Sequence, residues 1–287
     1  MMIRFFLTLF VFQLLIIESN SQPPKFPKNG EIFIKKNPKP GEKDYKFVNI
    51  NGTTWLAENL QAKTFNNGES IYFAKTDKEW KEAAVSNKPA WRFPNYDPKN
   101  GEIFGYEYNW YAVVDSRGIA PDGYIIPDKT DYENLLNHFG GWNVAALKLK
   151  SKIGWGHFCL GGEQLVKCPN CSNWSAGYRK IVPCHKCKGN QTVKISTPIV
   201  KKSGNGNNSS GFSAIPTDIG LHSCDYDWVL MKPKSKNYLG QSVWWTRTPD
   251  DGNSKYAVAF LIYNTNKMYF NKEDKYRGFP VRCYFGG

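Results

Sequence analysis

The sequence predicts an α+β fold, with short helices early in the chain and a mainly antiparallel sheet after them. Three observations carry that reading. Short β-prone aromatic segments recur between turn residues. Two segments instead space their apolar residues at the helical period. Ten Trp against four Met, in a chain 41% apolar and 15% aromatic, suit packing among short strands better than a helical bundle.

The first element is read as an export signal. Residues 1–21 hold one cation, Arg4, then an apolar run from Phe5 to Ile17, then the small residues Ser19-Asn20-Ser21 before Gln22. Those are the three regions of a secretory signal peptide. The run is shorter than the ~20 residues a spanning helix requires. No second long apolar segment follows, so no transmembrane segment is expected once the signal is removed. Cleavage takes away one cation and one anion, Glu18, leaving the net charge at +13.

Residues 22–44 are rich in Pro and Lys and read as an extended leader. From Tyr45 to Gly287 the sequence reads as one framework interrupted by a cysteine-rich stretch. "YKFVNINGTTWLAENL" predicts a hairpin whose strands meet at Asn51-Gly52. "KTDKEWKEAAVSN" predicts a short helix capped by Thr76 or Asp77, with Trp80 and Ala84 on one face. "GYEYNWYAVVD" is β-prone and reads as a core strand holding Tyr106, Tyr108 and Trp110. "PDKTDYENLLNHFGG" is the strongest helix, capped by Asp128 or Thr130, carrying Tyr132, Leu135, Leu136 and Phe139, and stopped by Gly140-Gly141. "GFSAIPTDIG", "SVWWTRTPD", "YAVAFLIYNTNKMYF" and "YRGFPVRCYF" read as the closing strands.

Residues 150–208, which run out into "KSGNGNNSSG" (202–211), a stretch with the composition of a flexible linker, form the interruption. Within it, Cys168, Cys171, Cys184 and Cys187 make C-x2-C-x12-C-x2-C. Two such knuckles close a tetrahedron of thiolates around a structural zinc ion, giving a zinc-ribbon-like insertion. The rival reading is two disulfides, which an oxidising compartment favours. Against it, a bridge closed inside C-x-x-C is strained. His185 sits within the second knuckle, but four thiolates already fill the shell. The remaining cysteines are Cys159, Cys224 and Cys283, and an odd total of seven leaves at least one free or paired between chains.

Several stretches, in this order, resemble the Fibrobacter succinogenes major paralogous domain family. They are "VNINGTTWLAENL", "GYEYNWYAV", "RGIAPDGYIIPDKTDYENL", "SSGFSAIP", "WWTRT" and "RGFPVRC", and they span most of residues 45–287. The resemblance implies an exported or surface protein of bacteria with a C-type-lectin-like fold, in which a long variable loop projects from a small sheet. The chain departs from the family pattern in the cysteine-rich insertion, and in Tyr124 and Tyr132 where Trp is common. The insertion falls where such loops arise, so the zinc ribbon is expected to stiffen a projecting recognition loop.

The site candidates follow from that expectation. Trp174, between the knuckles, has little core to enter and is expected to contact a ligand or partner. Trp244 and Trp245 are adjacent and face opposite sides of a strand, so Trp245 and the nearby Arg247 are contact candidates, with core packing of both rings the competing reading. The Glu-Pro-Asn, Gln-Pro-Asp and Trp-Asn-Asp triplets of calcium-dependent lectins are missing, so that chemistry is not expected. "PDDGN" (249–253) offers two carboxylates but reads as an ordinary turn. No nucleophile elbow or phosphate loop occurs, and four scattered histidines make no triad pattern. No catalytic residue is therefore assigned.

The basic balance, spread without a groove-like motif, combines with export to make nucleic acid a poor partner and an acidic glycan or envelope protein a better one. The expected function is a non-enzymatic binding or assembly module of a bacterial envelope. It would be secreted or held on the extracellular face of the outer membrane, and would recognise carbohydrate or protein through the zinc-stiffened loop. The alternatives are a stoichiometric subunit of an outer-membrane complex and an enzyme with a formylglycine-generating type of fold.

Overall fold

The computed structural model describes residues 28–35, 43–155, 158–167, 192–203, 205–217, 226–227, 232–233 and 240–286. The described chain is α+β, built from short helices and antiparallel sheets. Strand β1 (Ile32–Lys35) runs antiparallel to β2 (Tyr45–Ile50), which turns through Asn51-Gly52 into β3 (Thr53–Leu56). Both turn residues have positive φ, 51° and 81°, the geometry of a two-residue hairpin and the reason Asn-Gly stands there. The leader is thus not wholly outside the fold. Phe33 packs on Phe47 at 5.8 Å between ring centres while Ile32 and Ile34 face out, an alternation that the Lys- and Pro-rich composition conceals.

Next come β4 (Tyr72–Phe73), α1 (Asp77–Val85) and β5 (Ala90–Arg92). Thr76 caps α1, and the face it buries carries Trp80 with Ala83 rather than Ala84. A helical turn at 94–96 leads into α2 (Pro98–Phe104), where Asp97 caps and Pro98 opens the first turn. β6 (Glu107–Tyr108) pairs with β5, and the aromatic run expected to be one strand then breaks into α3 (Trp110–Val113). Asn109 causes the break. Its buried amide oxygen accepts from Ala112 N and Ala90 N, and its amide nitrogen donates to Lys88 O, so a side-chain cap overrides strand propensity.

β7 (Tyr124–Ile125) precedes α4 (Lys129–His138) and α5 (Ala145–Leu149). Asp128 and Asp131 form a reciprocal capping box, and Tyr132, Leu135 and Leu136 are buried, as the helical spacing requires. A two-stranded ribbon follows, β8 (Phe158–Lys167) with β9 (Thr192–Lys202). β10 (Tyr226–Asp227) and β11 (Lys232–Pro233) make a small pair. β12 (Gln241–Pro249), β13 (Tyr256–Tyr263) and β14 (Met268–Asp274) form an antiparallel meander, and β15 (Tyr284–Phe285) closes the described chain.

The larger sheet has the order β1-β2-β3-β15-β7, so the last strand lies between the first hairpin and β7. Both this sheet and the β12–β14 sheet are buried on two faces. Phe47 and Trp245 enter one core with Leu56, Trp91, Tyr108 and Val281. Val48 and Trp244 enter a second with Trp55, Tyr132, Phe212 and Phe260. The interruption is narrower than 150–208. Trp155 is buried in the second core, its backbone N–H donating to Asn205 Oδ1, while Gly206 N donates to Ser151 O. The Gly/Asn/Ser stretch is tied to the framework: Asn207 N donates to Leu147 O and Ser210 Oγ to Lys148 O.

Candidate functional site

Arg92 ends β5 and Glu107 begins β6, and the two are direct cross-strand neighbours. Their side chains pair at 2.7 Å through Arg92 Nε. Arg92 Nη1 also donates to the Tyr96 hydroxyl at 2.9 Å, and the guanidinium lies over the Trp80 ring at 4.5 Å. Burial works against the charge on Arg92, but the Glu107 carboxylate and the Tyr96 hydroxyl outweigh it and hold its pKa above the usual arginine range. Tyr96 reaches this position at a cost. Asn95 and Tyr96 both have positive φ, 53° and 58°, a region Asn tolerates and Tyr avoids by roughly 1–2 kcal/mol.

Trp80, Arg92, Asn95 and Glu107 line a cleft of about 420 Å³ between α1 and the segment running from β14 toward β15, with Tyr276, Arg277, Gly278 and Phe279 on the far side. Trp80 Nε1 donates to Tyr276 O at 2.8 Å and ties the two walls together. The charges in and around the cleft are paired. Lys81 meets Asp77 at 2.6 Å and Arg277 meets Glu273 at 2.8 Å. The Lys81 hydrogen bond holds the Asp77 carboxyl below its usual value. A shallower, mostly apolar shelf of about 360 Å³, lined by Ala84, Val85, Tyr111 and Tyr276 together with Lys81, Lys255 and Lys275, continues from the same wall. A fixed set of donors and acceptors beside aromatic surface can orient a polar ligand without a metal or a reactive group.

The residues singled out from the sequence lie elsewhere. Trp245 is fully buried, and its indole N–H donates to Tyr108 O at 2.8 Å, so it is a core residue and not a contact residue. Core packing of both rings, the competing reading, is what the structure shows, because β12 has a core on each side. Arg247 is exposed and pairs with Asp128 at 3.2 Å and more loosely with Asp131 at 4.0 Å, bracing the cap of α4. Cys168, Cys171, Cys184, Cys187 and Trp174 lie outside the described residues, as do Cys224, His157, His185 and His222. Cys283 is a free, fully buried thiol, and burial pushes its pKa well above the ordinary thiol value, so it stays protonated.

Sequence reasoning missed Arg92, Glu107, Tyr96 and Gly278. Residues 90–92 carry no strand reading in the sequence, and their pairing with residues 107–108 is visible only in the structure. Tyr106, Tyr108 and Trp110, read as core, are buried as expected.

The sequence model of the Fibrobacter succinogenes major domain matches residues 48–284, from β2 to β15. The chain belongs to this family. The matched range takes in every described residue lining the cleft and most of both cores, so the site is part of the Fibrobacter succinogenes major domain and not an appendage. Neither a curated protein nor a solved structure matches the chain. No helix among the described residues is long and apolar enough to cross a membrane.

Proposed function

We propose that the chain is a non-enzymatic binding module exported to the outer face of a bacterial outer membrane, where it takes a glycan in the cleft between α1 and the 276–280 segment. The observation that carries this reading is the cleft itself, whose donors and acceptors are locked in place by the Arg92–Glu107 and Arg92–Tyr96 contacts before any ligand arrives. Preorganised polar groups beside aromatic walls lower the ordering cost of binding a hydroxylated ligand. Thiol chemistry is disfavoured at Cys283 by its burial, which agrees with a binding role.

The architecture in this proposal is C-type-lectin-like, with β15 returning to pair with β3. The cysteine segment is its projecting arm. Lys167 pairs with Thr192, so the chain enters and leaves residues 168–191 at one paired base. In this reading Cys168, Cys171, Cys184 and Cys187 hold one structural zinc ion at the far end of the ribbon, and Trp174 contributes a second contact. Metal analysis beside a thiol count tests it. One zinc per chain, with four thiols protected until chelation, is expected; four oxidised thiols and no zinc would end the metal assignment.

The apolar shelf favours a second reading. Val85 is 88% exposed beside Tyr276, and a stoichiometric subunit of an outer-membrane complex would cover such residues. Purification from the native envelope, with protein and sugar analysis of what co-purifies, separates the two. Released saccharide supports glycan binding, and an equimolar protein with no saccharide supports the subunit.

A further inference from the structure

The shelf beside the cleft combines an apolar floor with a cation that the fold leaves unneutralised. Ala84 and Val85, at the end of α1, form the floor with the rings of Tyr111 and Tyr276. Val85 is 88% exposed and Tyr276 46%, so the floor is open to solvent. Three ammonium groups stand around it, on Lys81, Lys255 and Lys275. Asp77 holds Lys81 at 2.6 Å and Asp274 holds Lys255 at 3.1 Å. Among the described residues Lys275 has no carboxylate partner, and its Nζ lies over the Trp110 ring at 4.3 Å. The pairing therefore leaves one positive charge of the three unanswered.

The backbone fixes where that charge stands. Lys275 N donates to Lys255 O at 3.1 Å, and Lys275 O accepts from Trp110 N at 2.9 Å, which ties the ends of β13 and β14 to the start of α3. A ring against one side of an ammonium group leaves its other N–H donors free. Tyr111 is a second donor on the shelf: burial raises its pKa, so the phenol stays protonated, and no hydrogen bond engages its hydroxyl among the described residues. The two oxygens of a carboxylate can accept from both, whereas a neutral head would leave the ammonium charge unanswered. The apolar area is confined. Val85 is followed by exposed Ser86, Asn87 and Lys88, and Lys255 is preceded by exposed Asn253 and Ser254. A space of about 360 Å³ lies at the small end of ligand sites. A second copy of this chain meeting the shelf face to face would set lysines against lysines.

We infer that the shelf binds a singly charged amphiphile, an alkyl chain ending in a carboxylate. The chain covers Ala84 and Val85 and packs against the two tyrosine rings, and the carboxylate accepts from Lys275 Nζ and the Tyr111 hydroxyl. Lys81 and Lys255, already paired, border the site without adding charge to it. The inference rests on neither the glycan nor the subunit reading, since the Arg92–Glu107 pair plays no part in it and the ligand is a small molecule.

Titration of the full chain with octanoate and decanoate, below micelle formation and followed by amide NMR shifts, tests the inference. Saturable shifts at Ala84, Val85, Tyr111 and Tyr276 are expected. Decanoate should bind about two- to tenfold more tightly than octanoate, because two further CH2 groups leave water. Decyltrimethylammonium should not bind there. Val85→Glu, which puts a carboxylate on the floor, is expected to weaken decanoate about tenfold or more, and Lys275→Gln about threefold or more. Ile153→Glu changes another exposed apolar residue, one that does not line the shelf, and should leave binding unaltered. Thermal melts establish that the variants fold, and if Lys275→Gln does not, Val85→Glu carries the test. Three results overturn the site: no shift at these residues in millimolar decanoate, equal binding of the cationic and anionic decyl compounds, or decanoate affinity unchanged by both shelf variants. An equimolar envelope protein that is lost on Val85→Glu, with no decanoate bound, overturns it in favour of the subunit.

Discussion

Arg282 organises the interior more than any other side chain. It is fully buried, and Nε donates to Asn59 Oδ1, Nη1 to Leu56 O and Phe212 O, and Nη2 to Ser213 O. The same Asn59 oxygen accepts from Trp244 Nε1, and Asn59 Nδ2 donates to Phe104 O. One guanidinium therefore joins β3, the 212–213 segment and the C-terminal strand region. Burial brings its pKa down to about 10, still high enough to keep it charged at neutral pH. Replacing it with an apolar residue strands several carbonyls without donors. Arg282→Leu is expected to cost roughly 3–5 kcal/mol in urea unfolding, and a loss under about 1 kcal/mol would mean the carbonyls find other donors. The sequence marks Arg282 only as part of "RGFPVRC"; that it is interior rather than a surface cation depends on contacts with residues some 70 to 226 positions away.

At the scale of elements, local chemistry decided most outcomes that the sequence made legible. The Asn51-Gly52 hairpin forms as read, and of the two cap candidates at each helix Thr76 and Asp128 are the ones used, because each is satisfied within a few residues. Arg247 extends the α4 cap from a distant strand. Asp128→Ala is expected to cost about 1–2 kcal/mol, since it removes the N-cap acceptor as well as the ion pair. Arg247→Ala should cost less than about 1 kcal/mol because both partners are half-exposed. α2 was missed although its signal was present, an Asp-Pro cap and first turn at 97–98.

For the whole molecule, the described fold begins before Tyr45. β1 covers the edge of β2, and Asn29 Oδ1 accepts from Asn51 N at the hairpin turn. A chain begun at Asp44 instead of Gln22 is expected to lose roughly 2–3 kcal/mol, from Phe33 burial and the strand ladder, and to associate through the exposed β2 edge. Urea unfolding with light scattering checks both; equal stability of the two chains would make β1 a passive leader. The same two-sided burial that gives the sheets their stability explains why the Trp244-Trp245 pair offers no ring to a ligand.

Read alone, the residues determine the α+β class, the hairpin, the capped helices, the family and a cysteine spacing suited to zinc, because all of these are carried by residues close together in the chain. Strand order, the second core and the cleft were decided only by tertiary structure. Arg92, Glu107 and Gly278 meet through a cross-strand pairing and a return of the chain about 170 residues later, and no local pattern encodes that approach.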